Sequence, residues 1–462
     1  MTYTVRDVGE IINDTPVNRF RGGIFAMCFM VMMLDGFDTQ ATAFVAPTLA
    51  AAWKLSPGML GAMFSSVLFG AIIGAFLFGY VADRLGRRYI LAACIAWFGV
   101  FNLANAFATS PEAFLTLRFL CGLGLGGAIP NVIAMVSEYA PEKRRATLVA
   151  MTWAGFALGA VLGGLVSIPL ISTFGWHAVF VLGGVLPLLA VPLVLWRLPE
   201  SVKFLSLSPA NNSAIAAIIR KISPDGGYSV DDTYIIRNER PAGANVSAIF
   251  QDGLALGSIF LGLALFMSLL LVYLFLNWIP LLLRSSGLSM QNALLGTVIF
   301  NLAGIFGGMT CSWLVDRNKQ RALTILIVVY LLGALAVASI GLVGTAFGSI
   351  MTCIFLSGFL VIGVQLSLQA VIAAYYPTAI RGTGIGWSQV LGRSGSLIGP
   401  LVGGSLVAIG FSSTQLFQIS AAAPLLAALS LVIFLIFSRK ATRRDAERAD
   451  TPSAGVEQRR MK

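Results

Sequence analysis

Charge is scarce in this chain. Of its 462 residues only 11% are charged, against about 25% in soluble domains. Histidine occurs once, at His177, and the five cysteines stand at Cys28, Cys94, Cys121, Cys311 and Cys353. One histidine and cysteines without ligand spacing exclude a His/Cys metal centre; the cysteines read as small packing residues in or beside apolar runs. A nucleophile–base pair and a soluble catalytic domain are also missing, so neither an enzyme nor a cofactor is expected. The abundant feature is hydrophobicity, with 57% hydrophobic residues and a mean hydropathy of +0.85. These figures leave the class of all-α, polytopic membrane proteins.

Twelve apolar runs of spanning length can be read at roughly 22–50, 59–81, 89–108, 112–135, 146–168, 176–197, 254–283, 290–314, 321–341, 346–374, 382–408 and 412–437. The long polar segment lies between the sixth and seventh runs. This organisation predicts an N-terminal six-helix half over 1–197 and a cytoplasmic linker over 198–253. A C-terminal six-helix half over 254–438 and a cytoplasmic tail over 439–462 complete it. The tail is charged and reads as a short helix that frays. The segment Met1 to Arg21 is polar, without a small-residue cleavage site after a short apolar run, so the first span is expected to be its own insertion signal.

The net charge of +11 would suit nucleic acid, but its distribution suits a bilayer. Placing the spans leaves Lys54, Arg118, Arg284 and Arg393 off one side and the rest of the 31 basic residues on it. That is the positive-inside pattern, and it predicts a cell inner membrane protein with both termini cytoplasmic and no nucleic-acid partner.

The halves repeat. Asp83-Arg84 after the second span corresponds to Asp316-Arg317 after the eighth. Tyr139-Ala140-Pro141 with Arg145-Ala146-Thr147 corresponds to Tyr375-Tyr376-Pro377 with Arg381-Gly382-Thr383, and Gly159 and Gly163 to Gly395 and Gly399. Two related halves joined by a polar loop are the pattern of a transporter whose substrate sits at mid-membrane between them.

The first span holds Asp35-Gly36-Phe37-Asp38-Thr39-Gln40. A charged side chain at mid-bilayer costs about 2.5–3.5 kcal/mol on insertion scales. Residues three apart share a helix face, so these carboxylates must look into a bundle or a wet cavity. Proton coupling is one reading; a structural pair satisfied by hydroxyls or an arginine is the other. Arg118 in the fourth span either lines the cavity or snorkels to the outer headgroups. Arg393, some ten residues into the eleventh span, either meets a carboxylate substrate with its planar fork of donors or is a buried structural partner. These four charges are expected to share one polar cavity. Gln40, Asn131, Tyr273, Asn277, Gln365, Gln369, Tyr375, Phe37, Trp278 and Trp387 are further candidates for its walls.

The loop Gly79-Tyr80-Val81-Ala82-Asp83-Arg84-Leu85-Gly86-Arg87-Arg88 resembles the signature of the major facilitator superfamily. Its physics is a latch, in which Asp83 pairs with cations at neighbouring helix ends in one access state. Asp83, Arg84, Arg87, Arg88, Glu138, Arg145, Asp316, Arg317 and Arg381 are the expected gating charges. The glycine run Gly122-Leu123-Gly124-Leu125-Gly126-Gly127 is not a nucleotide loop, because no strand precedes it; it permits close helix approach. The fifth span lacks the glycine–proline motif of facilitator antiporters, which favours symport or uniport.

Within that superfamily the chain resembles the aromatic acid:proton symporter family. The likeness rests on Asp35-Gly36-Phe37-Asp38-Thr39, on Arg118-Phe119 with the glycine run through Pro130-Asn131, and on Ser137-Glu138-Tyr139. Asn277-Trp278-Ile279-Pro280 and Arg381-Gly382-Thr383-Gly384 through Gly392-Arg393-Ser394-Gly395 extend it. The resemblance implies inward transport of a benzoate- or hydroxybenzoate-like acid with protons, by alternating access and by a monomer, feeding aromatic catabolism. It implies proton coupling at Asp35, Asp38 and Arg118, and substrate binding at Arg393, Asp38, Trp387, Gln365, Tyr273 and Asn277. Another organic anion, such as a dicarboxylate or a nicotinate-like acid, is the alternative within the class. A sugar is less favoured: Leu198-Pro199-Glu200-Ser201 is shared with sugar porters, but their Pro-Glu-Thr end is absent.

Overall fold

The structure, a computed structural model, describes residues 5–229, 232–235, 246–251, 253–344, 346–377 and 380–449. A short strand β1 (Val5–Asp7) and helix α1 (Val8–Asp14) precede six long helices: α2 (Arg19–Trp53), α3 (Pro57–Leu85), α4 (Arg87–Asn105), α5 (Pro111–Tyr139), α6 (Glu142–Phe174) and α7 (His177–Arg197). The connecting segment carries α8 (Val202–Leu205), α9 (Asn212–Ile222) and β2 (Thr233–Ile235). The second set is α10 (Ala255–Ser285), α11 (Met290–Arg317), α12 (Ala322–Ile340), α13 (Phe347–Tyr375), α14 (Arg381–Ala408), α15 (Ser413–Ser420) and α16 (Ala422–Ala449). Among the described residues twelve spans are long and apolar enough to cross a membrane, as expected, the last being α15 and α16 in series. The chain is a multi-pass membrane protein of two six-span halves.

Helix ends follow capping chemistry rather than the limits of the apolar runs. Ser56, Ser110 and Ser289 accept from the backbone N–H three residues on, and Pro57 and Pro111 occupy first helical positions. The helices α3 and α5 therefore begin one or two residues before their apolar runs. The last span breaks at Ala421, because Pro424 has no N–H for the helix to use.

The repeat seen in the sequence recurs as packing. A Cβ on Gly159 would lie 1.9 Å from the Met33 carbonyl oxygen, so α6 rides directly on α2. In the other half, a Cβ on Gly395 would lie 2.2 Å from the Phe266 oxygen and one on Gly399 would lie 2.3 Å from the Leu270 oxygen, placing α14 on α10 in the same way. Small residues allow this backbone approach where lipid supplies no hydrophobic drive between helices.

One end of the bundle, the terminal face, carries α1, the β1–β2 pair, α8 and α9; the other is the far face. At the far face the halves meet: α3 against α14, α6 against α11 and α2 against α10. Ala43, Ala46, Leu60 and Phe64 enter one apolar cluster with Leu274, Phe275 and Trp278 of the other half. Gly61 and Gly404 bring the backbones together, since a Cβ on Gly61 would stand 2.9 Å from the Pro400 oxygen.

The connecting segment is not a plain tether. β1 pairs in parallel with β2, Val5 opposite Thr233. Ile215, Ala216 and Ile219 of α9 are buried in one core with Val8, Ala82, Val136 and Tyr139. Arg21, expected in a polar arm, is fully buried and donates to the carbonyls of Ile12, Thr15 and Tyr139. Near its other end, Ile249 packs into the C-terminal half and accepts from the Ser258 hydroxyl at 2.8 Å. Most of the tail expectation, 450–462, lies outside the described residues; α16 continues to Ala449.

Candidate functional site

The four intramembrane charges do not share one cavity. They separate into a closed pair and an open pair. Asp38 and Arg118 are fully buried, with Arg118 Nη1 2.9 Å from Asp38 Oδ1. Arg118 Nη2 also donates to the Asp38 carbonyl at 2.9 Å, and Nη1 reaches Asn102 Oδ1 at 3.3 Å. The Cys121 thiol donates to Asp38 Oδ2 at 3.0 Å, so both carboxylate oxygens are engaged. The Phe180 ring lies 5.8 Å from the Arg118 guanidinium carbon. This is an ion pair fixing α2 against α5. Arg118 is not snorkelling, and neither residue lines the cavity.

Asp35, one helical turn earlier on α2, is placed differently. Its Oδ1 accepts from the Thr39 hydroxyl at 3.1 Å, while its buried Oδ2 has no hydrogen-bond partner among the described residues. Asp35 and Thr39 line a cavity with Tyr273 of α10 and Arg393 of α14. The remaining wall is apolar: Val67, Leu68 and Ala71 of α3, Leu125 and Ile129 of α5, and Trp153 and Phe156 of α6. Arg393 is half-buried, and among the described residues no hydrogen bond or ion pair engages its guanidinium. An aromatic-walled cavity therefore holds one free carboxylate oxygen and one uncommitted planar cation. The space has room for about one water, so a larger guest requires its walls to part.

Besides Asp38, three residues expected at the substrate site stand elsewhere. Asn277 donates to the Tyr273 carbonyl of its own helix at 2.7 Å. Trp387 packs edge-on against Phe250, ring centroids 5.2 Å apart. Gln365 is buried on α13 and does not line the cavity with Asp35. Conversely, Thr39, Trp153 and Phe156 line it without having been singled out. Thr39 was legible from its spacing to Asp35; the two rings were not, because aromatic residues are general in membrane spans.

The charges expected to gate are clustered on the terminal face. Asp83 is 3.3 Å from Arg87, whose Nε is 3.3 Å from Glu138. Glu138 accepts from the Ser201 hydroxyl. Glu200 is the unforeseen centre of this cluster. Its Oε1 accepts the backbone N–H groups of Arg87 at 2.7 Å, Arg88 at 3.1 Å and Ser201 at 2.8 Å, a carboxylate seated on the N-terminus of α4. Gly86 is required beside it, with φ +94° and Glu200 Oε2 2.5 Å from where a Cβ would be. Arg88 donates to the Leu195 carbonyl, and Arg84 lies over the Tyr80 ring at 4.3 Å. Arg145 is exposed. In the other half Asp316 is exposed, Arg317 lies 5.4 Å from the Trp313 ring, and Arg381 Nε donates to the Tyr376 carbonyl at 3.4 Å.

Comparison with known proteins agrees with this architecture. The profile of the Major Facilitator Superfamily matches residues 28–394. The 4-hydroxybenzoate transporter PcaK of Pseudomonas aeruginosa is 35% identical over 413 residues, 88% of this chain and 91% of that protein. The gallate transporter of Pseudomonas putida is 35% identical over 429 residues, 92% of this chain and 94% of that protein. The fold is similar to the inward-open conformation of the xylose transporter XylE from E. coli, with a TM-score of 0.69 at 19% identity over 89% of this chain and 95% of that one. The chain is a membrane transporter, not an enzyme, and it belongs to the major facilitator superfamily.

Proposed function

We propose that the protein imports an aromatic carboxylic acid of the hydroxybenzoate type together with a proton, by alternating access across the inner membrane. The observation that carries this reading is Arg393: a planar guanidinium without a hydrogen-bond partner among the described residues, lining an aromatic-walled cavity together with Asp35. Such a fork is suited to a carboxylate, which it can hold through two parallel hydrogen bonds. Tyr273, Trp153 and Phe156 supply ring faces and edges for an aromatic body. The names of the relatives support the same substrate class.

Asp35 is the proposed proton carrier. Its free Oδ2 can take a proton without breaking a protein contact, and protonation removes the repulsion between that carboxylate and an incoming anion. Protonation of Asp38 would neutralise the charge that Arg118 pairs with and displace the Cys121 thiol or Arg118 from the oxygen that takes the proton. One proton per monoanion is therefore the favoured stoichiometry, with Asp38–Arg118 a fixed strut between α2 and α5. The basic residues concentrated at the terminal face support a cytoplasmic location for it. On that orientation the face at which the halves meet is the outer one.

Binding to the purified protein tests the reading. Labelled 4-hydroxybenzoate should bind better at a pH that protonates Asp35, and the Asp35→Asn variant should bind with little dependence on pH. Arg393→Gln should lose binding at every pH. Retained binding in Arg393→Gln would reject the proposed site.

A further inference from the structure

We infer that Gln40 of α2 and Asn301 of α11 form a reversible latch that sets the register of the closed far face. Gln40 Nε2 donates to Asn301 Oδ1 at 3.2 Å, and Asn301 Nδ2 donates back to Gln40 Oε1 at 3.1 Å. The two amides thus close a ring across the interface between the halves. They are buried, at 2% and 6% exposure. Asn301 Nδ2 also reaches the Thr297 carbonyl at 2.9 Å, which fixes the orientation of the amide on its own helix. The other described side-chain bond between the halves, Ser65 to the Leu397 carbonyl at 2.8 Å, engages a main-chain oxygen and has no reciprocal partner.

The chemistry of the pair suits an interface that must open and close. A buried amide left alone carries a full desolvation penalty, whereas a paired amide does not. When the halves part, water replaces each partner, so the ring contributes little net free energy and cannot lock the closed state. It does select register, because a slipped interface would bury unpaired amides. An apolar pair at these positions would behave differently: burial would favour closure, and opening would expose apolar surface to water. The latch is also close to the cavity. Gln40 directly follows Thr39, whose hydroxyl is bound to Asp35, so six consecutive residues of α2 carry the proposed proton site and the closure.

This inference rests on the alternating-access reading above, and its test is independent of the substrate. Hydrogen–deuterium exchange of the full-length protein in nanodiscs reports far-face opening through peptides spanning 41–60 and 400–412. Gln40→Leu or Asn301→Leu should each raise far-face exchange by about tenfold, as the widowed amide destabilises the closed state. The double variant Gln40→Leu/Asn301→Leu should return exchange to the wild-type level or below, and it should slow 4-hydroxybenzoate uptake while leaving the purified protein folded. Asn301→Ser, too short to close the ring, gives the same readout if a leucine variant does not fold. Unchanged exchange in the single variants, or a double variant whose exchange is the sum of the two, would overturn the latch. Absence of hydroxybenzoate uptake by the wild type would count against the proposed substrate and leave the exchange result to decide the latch.

Discussion

Arg118 holds Asp38 twice, by a side-chain ion pair of 2.9 Å and by a 2.9 Å bond from its second terminal nitrogen to the Asp38 main-chain oxygen. Removing one partner of such a buried pair leaves a lone charge and costs about 3–5 kcal/mol, whereas replacing both is often tolerated. Asp38→Asn and Arg118→Leu should each lower the thermal midpoint of the purified protein sharply. Asp38→Asn/Arg118→Leu should recover much of the loss. A double variant as unstable as the sum of the singles would show that the pair is not acting as a strut.

Arg393 should behave in the opposite way, since among the described residues no hydrogen bond engages its guanidinium. Arg393→Lys keeps the charge and loses the planar fork. Its thermal midpoint should stay near that of the wild type, while the half-saturation concentration for hydroxybenzoate rises by about tenfold or more. A fall in stability with unchanged half-saturation would make Arg393 a structural residue.

Glu200 gathers three backbone N–H groups at the start of α4. Loss of a cap of this kind costs about 1–2 kcal/mol. Glu200→Ala should lower the thermal midpoint without changing the half-saturation for substrate. Gly86→Ala should be more damaging, because it combines a disfavoured backbone region with a clash against the same carboxylate. Equal stability of both variants with the wild type would deny Glu200 its capping role.

Single-proton coupling has an electrical signature. One proton with one monoanion moves no net charge, whereas two protons would draw about 2.3 kcal/mol per 100 mV from the membrane potential. Initial uptake into proteoliposomes at fixed pH gradient should not change when a potassium diffusion potential is imposed. Acceleration by an inside-negative potential would require a second proton, and Asp38 would then have to release Arg118.

The twelve spans were legible because a run of about 20 apolar residues has few alternatives. Their starting residues were not, since Ser56 and Ser110 act through hydrogen bonds that hydropathy does not register. The packing of α9 was encoded in Ile215, Ile218, Ile219 and Ile222, apolar residues at helical spacing within a polar segment. The pairing of Val5–Asp7 with Thr233–Ile235 was not, because strands this short and this distant carry no local signal. At the site, Asp35, Asp38, Arg118 and Arg393 stood out as charges inside apolar runs. Their division into two pairs was hidden, because it depends on α5 reaching Asp38 while α14 lines the cavity with Asp35. Asn301 was not singled out, and its partnership with Gln40 across the interface follows only from the fold, in which α6 packs on both α2 and α11.

The central claim is proton-coupled import through the Asp35–Arg393 cavity. Uptake of labelled 4-hydroxybenzoate into right-side-out vesicles, with and without a protonophore and beside an Asp35→Asn variant, tests it most directly. Accumulation above the external concentration should occur with the wild type, collapse with the protonophore and be absent in Asp35→Asn, although the variant should still exchange substrate across the membrane. Accumulation by Asp35→Asn that the protonophore abolishes would place the coupling elsewhere and contradict the proposal.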